Sequence, residues 1–193
     1  PKAVNYCSDI VESLVGEVGH REAIWVNGEK SVIKAGIMLV VLGNKEHSEY
    51  QNLPNTYHFI SKMCAEQNDK TMLMDTYLDT LEDSHPAVSS FAAAIIAPSK
   101  TRASFFTSAL ATLSIFMDDY GASMISESEI DLNKFNEERA VLYMFLPDEK
   151  TTFYGLCSLF VNQVYTKLVE LADSKGGRLK IRTNFILDEF RKF

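Results

Sequence analysis

The chain has 193 residues, of which 46% are apolar and 23% are charged, so it can bury a core as one domain or two small ones and is neither disordered nor fibrous. Its net charge of −7 is unevenly placed, because residues 1–134 contain 10 basic and 18 acidic side chains whereas residues 135–193 contain 9 and 8. The acidic first part disfavours broad binding to a phosphate backbone, and Lys100-Thr101-Arg102 is the only candidate basic strip there.

The first part of the chain is predicted to be an all-helical bundle. Apolar residues recur there at the spacing of amphipathic helices, with no competing strand signal between residues 87 and 117. The first predicted helix is capped by Ser8 and ends near Gly19, and further helices are predicted over about 27–42, shortly after Asn55, and over about 73–81. Residues 87–117 are predicted to form two helices, or one helix that breaks at Pro98, with Ser99 or Thr101 as the cap after the break.

The pattern changes near residue 135. A continuous apolar run over 140–146 has the character of a buried strand, and a helix is predicted over about 152–172. A second strand is predicted over 179–187, and a second, shorter apolar run, Phe185-Ile186-Leu187, ends it. A strand, a helix and a strand with short connections predict a parallel βαβ unit. Two strands cannot cover their own faces, so we expect the unit to belong to a larger sheet.

The sharpest chemical feature is the pair Asp188-Glu189, which follows the second apolar run. A buried strand that ends in Asp-Glu is the second nucleotide motif (Walker B) of P-loop ATPases, in which Asp holds Mg²⁺ and Glu orients the attacking water. Strands often end in acidic residues without such a role, so the pair alone leaves both interpretations open. The phosphate-binding loop is not found, since Gly28-Glu29-Lys30-Ser31 lies inside a helical pattern.

Other candidates for chemistry are weaker. The loop Pro147–Thr152 can be a capped helix start, a loop beside the ligand edge, or both. Cys157 falls on the apolar face of a predicted helix, which favours a core position over a nucleophile. Three scattered cysteines and four scattered histidines disfavour a disulfide scaffold and a zinc site.

The ordered motifs resemble one family. The chain is similar to the TraG/TraD class of type IV secretion coupling proteins, the membrane-anchored hexameric ATPases of conjugative DNA transfer. The residues that carry the resemblance are Trp25 with Gly28 and Lys30, Lys100–Ser104, Leu146-Pro147-Asp148, Thr151-Thr152-Phe153, Leu159 to Tyr165, Gly176-Gly177-Arg178-Leu179 and Phe185 to Phe190.

The resemblance implies a mainly α fold, in which a helical bundle precedes a βαβ piece of a RecA-like P-loop α/β domain. Residues 1–134 would be the all-α substrate-recognition domain, and residues 135–193 a partial nucleotide-binding domain that ends at Walker B. Asp188 would bind Mg²⁺ and ATP, and Glu189 would be the catalytic carboxylate. The implied partners are a relaxase or other protein substrate, DNA, secretion-channel proteins and five further copies of the subunit in a homohexamer. The implied place is the cytoplasmic face of a bacterial inner membrane.

The sequence also departs from the family. Arg191-Lys192-Phe193 stands where the family has Ala-Asn-Ile-Gly, and neither the Walker A lysine nor a membrane segment is found. We therefore expect a soluble piece of a longer protein, which by itself holds no ATP or Mg²⁺ and does not hydrolyse ATP. Two alternatives stay open: a helical adaptor that only binds proteins, and another hexameric RecA-like secretion motor of the pilus-assembly type.

Overall fold

A computed structural model describes residues 2–16, 22–68, 71–126, 130–145 and 154–188. These residues are mainly α-helical, which confirms the predicted fold class at that level. The helices are α1 (Lys2–Val15), α2 (Ala23–Gly43), α3 (Leu53–Met63), α4 (Leu73–Leu78), α5 (Pro86–Ile95), α6 (Ser99–Leu113), α7 (Asp119–Ser126) and α8 (Tyr154–Ser174). The contacts divide the chain into a helical unit (residues 1–127) and a second unit (residues 128–193). The domain roles given to the two parts of the sequence stay predictions.

Helix α2 is the centre of the helical unit, where it contacts α1, α3, α5 and α6. Val26, Val32 and Ile33 are fully buried on it, in keeping with a helix that is apolar around most of its circumference. Gly28 allows α6 to come close, because a Cβ atom at this position would lie 2.5 Å from the ring of Phe105. Other large buried side chains of this unit include three that are aromatic, Phe91, Phe106 and Phe116.

Several predicted helix starts are wrong by a few residues. Helix α1 begins at Lys2, and the Ser8 hydroxyl donates to the Val4 carbonyl oxygen at 2.9 Å within the helix, so it does not cap it. Asn52, not Asn55, caps α3, since its Oδ1 accepts from the Asn55 N–H at 2.9 Å. The break at Pro98 is confirmed, but Pro98 itself precedes α6 and no side chain caps this helix.

Two small elements of the helical unit, a short hairpin and helix α7, were not predicted from the sequence. Strands β1 (Glu66–Asn68) and β2 (Thr71–Met72) pair in antiparallel fashion, with Glu66 opposite Met72 and Asn68 opposite Thr71. Helix α7 is short and follows a 3-10 turn over Ser114–Phe116. Neither element carries an apolar repeat long enough to be recognised in a sequence window.

The second unit is built around α8, which confirms the helix predicted over 152–172. Its buried side chains include Cys157, Val164 and Leu168. A 3-10 helix (Leu132–Asn136) packs against α8. The chain before and after α8 forms irregular segments, residues 137–145 and 178–187.

The predicted parallel βαβ unit is not formed by the described residues. Residues 140–145 and 179–187 carry no strand pairing, and their apolar side chains face solvent, with Phe145 89% and Ile186 93% exposed. A strand is defined by the backbone hydrogen bonds of a neighbour, and two parallel strands need further strands and helices to cover their faces. The described residues supply neither a paired neighbouring strand nor the elements that would cover a sheet, so a strand-like sequence alone does not make these segments a sheet.

Candidate functional site

The predicted nucleotide site is only partly within the described residues. Asp188 is exposed, just after the irregular segment that ends at Leu187. Glu189 and the loop Pro147–Thr152 lie outside the described residues. Within the described ranges no group of three or more His, Cys, Asp or Glu side chains could hold a metal ion. The described residues therefore do not test whether the predicted site residues come together, and their roles stay predictions.

A tight turn ends α8 and redirects the chain. Gly176 and Gly177 both have φ of +88°, a left-handed conformation that favours glycine. The Gly177 N–H donates to the Ala172 carbonyl oxygen at 2.8 Å, which is a typical helix C-terminal bond. Beyond the turn the buried Asn136 accepts a hydrogen bond from the Lys180 N–H on its Oδ1 at 2.7 Å. This bond joins the segment after α8 to the 3-10 helix before it.

These elements enclose a cleft of about 920 Å³ in the second unit. Four basic side chains line it, together with a single acidic one. The lining residues are Asn136, Glu137, Ala172, Lys175, Gly177, Arg178, Leu179, Lys180 and Arg182. The lining makes this cleft locally cationic in a chain of net charge −7, which electrostatically favours anions over cations.

The sequence analysis missed this cleft. The signal that could have found it is the run Lys175, Arg178, Lys180 and Arg182, which places four cations within eight residues of a chain that is otherwise acidic. This run lines a cleft only because the turn and Asn136 bring residues on both sides of α8 together. The spacing of these residues along the sequence does not reveal that they lie close together in the structure.

The structure does not support a basic strip at the candidate residues Lys100-Thr101-Arg102. Arg102 is buried in the helical unit, where its Nη1 donates to Asp75 Oδ1 at 2.8 Å. Asp75 also accepts from the Met72 N–H on Oδ2 at 3.0 Å. The guanidinium of Arg102 therefore joins α6 to the start of α4, and it is not presented to a ligand. Residues two positions apart on a helix lie on nearly opposite sides, so Lys100 is exposed whereas Arg102 faces the core.

The motif Gly28-Glu29-Lys30-Ser31 has a packing role, as expected from its helical pattern. It lies inside α2, where the buried Glu29 accepts a hydrogen bond from the Thr112 hydroxyl of α6. The Ser31 hydroxyl donates to the Ser90 carbonyl oxygen of α5 at 2.7 Å. The Lys30 ammonium pairs with Glu12 of α1. These contacts connect α2 to α1, α5 and α6 and leave no phosphate-binding loop there.

The buried cysteines are not nucleophiles. Burial raises the pKa of the Cys7 thiol from 9.0 to about 12, with Lys34 acting weakly in the opposite direction. Burial also raises the pKa of Cys157, which lies in the packed face of α8 as predicted. A thiol that stays protonated at neutral pH is a poor nucleophile, so both side chains serve the cores of their units.

The family comparison covers nearly all of the chain. A family model described as Type IV secretory system Conjugative DNA transfer matches residues 4–193. The match confirms, at the level of the family, the resemblance seen in the ordered motifs. Neither the curated proteins nor the solved structures contain a match to this chain. In the described ranges no helix is long and apolar enough to cross a membrane.

Proposed function

Because the chain belongs to the Type IV secretory system Conjugative DNA transfer family, we propose that it acts as part of a TraG/TraD-class coupling protein. Such a protein recruits relaxase-bound DNA to the secretion channel and drives its transfer by ATP hydrolysis. The observation that carries the proposal is the family match over residues 4–193, which spans both the helical unit and the second unit.

The two units would divide this work. The helical unit would bind the relaxase or another protein substrate, and its acidic composition suits a protein surface better than bare DNA. The second unit would belong to the ATPase part of a membrane-anchored homohexamer on the cytoplasmic face. There the Asp188 carboxylate would hold Mg²⁺, and the Glu189 carboxylate would orient the water that attacks ATP.

The exposed apolar segments support a RecA-like role for the second unit. Val141, Tyr143 and Ile186 are each more than 70% exposed. β-Branched and aromatic side chains in continuous runs are typical of strands covered on both faces. We propose that residues 140–146 and 179–187 pair as parallel strands when the neighbouring strands of a complete ATPase domain are present.

The proposal is tested in the full-length coupling protein with two conservative variants. Glu189→Gln keeps its size and hydrogen bonding but cannot polarise water, so ATP still binds while turnover falls by about 10²–10⁴-fold. Asp188→Asn weakens Mg²⁺ binding and so lowers both nucleotide affinity and turnover. In both variants the isolated relaxase is still captured by the helical unit, because the substitutions lie in the other unit.

Asp173→Asn is the matched control, because Asp173 is an exposed carboxylate near the end of α8 and has no assigned role. It should turn over ATP like the wild type. Wild-type turnover in both Asp188→Asn and Glu189→Gln contradicts the Walker B assignment and favours the helical-adaptor alternative. The 193-residue chain alone should show no turnover above a protein-free blank, and turnover that disappears in Glu189→Gln would overturn that expectation.

A further inference from the structure

The first apolar segment (residues 140–146) carries side chains that alternate between two faces. Val141, Tyr143 and Phe145 are 74%, 75% and 89% exposed, whereas Leu142 and Met144 are 40% and 39% exposed. The rings of Tyr143 and Phe145 are stacked, with centroids 6.4 Å apart. In an extended chain, side chains two residues apart share a face. The odd-numbered residues of this segment therefore form its exposed face, and the even-numbered residues form its shielded face.

The second segment (residues 179–187) alternates with the opposite parity. Ile186 is 93% exposed, whereas Phe185 and Leu187 are 42% and 39% exposed. The shielded face lies towards α8, because the ring of Tyr165 packs edge-to-face against the ring of Phe185 with centroids 6.3 Å apart. The even-numbered residues of this segment therefore point away from α8.

These two alternations restrict the register in which the segments can pair as parallel strands. A helix that joins two parallel strands covers one face of the pair, so the shielded faces of both segments should lie towards α8. A shift of one residue would turn one shielded face to the opposite side of the sheet. Each residue of the first segment must therefore lie opposite a residue that is an odd number of positions later in the chain.

A hydrogen bond just before the first segment gives that number. The buried Asn136 accepts from the Lys180 N–H on its Oδ1 at 2.7 Å. In a parallel pair, the carbonyl oxygen of a residue accepts from the N–H one position beyond its direct partner. With the Asn136 amide oxygen in the place of such a carbonyl, residue 136 is level with residue 179. The separation is 43 positions, which is odd, as the exposures require.

We propose that Asn136 is a positioning residue that holds the two segments in this register, an inference that rests on the proposed function and deepens it. Tyr143 then lies opposite Ile186, and Phe145 lies opposite Asp188. This register places Asp188 level with the end of the neighbouring strand, at the carboxyl edge where open α/β sheets bind ligands. A register shifted by two residues would move Asp188 by about 7 Å along the sheet. Such a shift is incompatible with a carboxylate that must hold Mg²⁺ at about 2 Å.

The register is tested by disulfide formation in the full-length coupling protein. Ile186→Cys is combined in turn with one of five substitutions: Val141→Cys, Leu142→Cys, Tyr143→Cys, Met144→Cys or Phe145→Cys. After mild oxidation under native conditions, the linked peptides are identified by mass spectrometry.

Tyr143→Cys should form the disulfide with Ile186→Cys, because directly opposite residues of neighbouring strands lie about 4.8 Å apart. The other four variants are matched controls. A shift of one residue turns the two thiols to opposite faces, and a shift of two separates the Cα atoms by about 8 Å, which a disulfide cannot bridge.

The role of Asn136 is tested in the Tyr143→Cys/Ile186→Cys protein. Asn136→Ala removes the acceptor of the Lys180 N–H and should slow disulfide formation by about fivefold, the effect of one lost hydrogen bond. Asn136→Asp keeps an acceptor oxygen and should recover most of the rate, which a general loss of packing would not allow. Asn133→Ala is the matched control, because this exposed asparagine of the same 3-10 helix donates to Asp131 instead, and its rate should not change.

The possible failures are distinguishable. A disulfide that forms preferentially at another of the five positions would overturn the register and leave the parallel pairing. Equal rates with and without Asn136→Ala would overturn the role of Asn136. Wild-type turnover in Glu189→Gln, with the disulfide formed by Tyr143→Cys, would remove the ATPase role and leave the register. A disulfide at none of the five positions would overturn the register together with the pairing of the two segments.

Discussion

The ion pair between Arg102 and Asp75 should be essential to the stability of the helical unit. The side chains of Arg102 and Asp75 are 9% and 12% exposed, and the pair is joined at 2.8 Å. Arg102→Met fills a similar volume but leaves the Asp75 carboxylate buried without its cation. Breaking a buried pair in this way costs about 3–5 kcal/mol, a large part of the roughly 5–15 kcal/mol that stabilises a domain. At roughly 4 °C per kcal/mol, the midpoint of thermal unfolding should fall by about 12–20 °C.

The assay can follow the helical unit alone, because the chain has a single tryptophan. Trp25 of α2 lies edge-to-face against Phe105 of α6, with ring centroids 5.7 Å apart, so its fluorescence reports separation of these helices in urea. Lys100→Gln is the matched control, since it removes one positive charge from an exposed position on α6, and it should change the free energy of unfolding by less than about 0.5 kcal/mol.

A double-mutant cycle isolates the pair. Asp75→Asn keeps an acceptor for the Met72 N–H but leaves the buried guanidinium without a counter-charge. The double variant with Arg102→Met removes both charges, so its loss should be smaller than the sum of the two single losses by about 1–3 kcal/mol. A loss below about 1 kcal/mol for Arg102→Met, or strict additivity in the cycle, would refute the structural role assigned to Arg102.

Two further results are expected. Gly28→Ala should destabilise the helical unit by about 1–2 kcal/mol, because overpacking against Phe105 outweighs the gain in helix propensity. In the control Gly43→Ala the added methyl group meets nothing within 4 Å, so this variant should be neutral or stabilising. Equal urea midpoints for the two variants would contradict this packing. Because burial raises the pKa of Cys7, its thiol stays protonated in the folded chain, whereas the thiol of the unfolded chain ionises above pH 9.0. The contribution of Cys7 to the free energy of unfolding is therefore complete below pH 9.0 and declines as the pH rises toward about 12. Iodoacetamide at pH 8 should accordingly modify Cys64 in the native chain and Cys7 only after unfolding, and rapid native labelling of Cys7 detected by mass spectrometry would argue against its burial.

The helices could be predicted where apolar residues repeat over several turns. Helices α2, α6 and α8 carry such repeats, and glycine or proline marks some of their boundaries, since Gly43 ends α2 and Pro98 precedes α6. Helix starts were less accurate, because a capping residue acts only if the chain is not already helical before it. Ser8 illustrates this, since residues 2–7 continue α1 upstream and the hydroxyl turns to the Val4 carbonyl oxygen instead.

Features that depend on distant residues could not be predicted. The segments over 140–146 and 179–187 have strand character, but pairing needs neighbours that a sequence pattern does not supply. The burial of Arg102 could not be predicted from a candidate basic strip, because its partner Asp75 lies 27 positions earlier. The basic cleft was missed for the same reason, since Asn136 and Lys180 are 44 positions apart. The role of Asp188 stays a prediction from its motif.

The position of Lys175 and Arg178 at the end of α8 has a consequence for how long any anion would stay there. The carbonyl end of a helix carries a partial negative charge of roughly half an electron, which already attracts nearby cations. A phosphate entering the cleft must compete with that field, so each contact is weaker than one at a helix amino end. Weak contacts dissociate quickly. Any anion that entered this cleft would therefore exchange rapidly with those in solution.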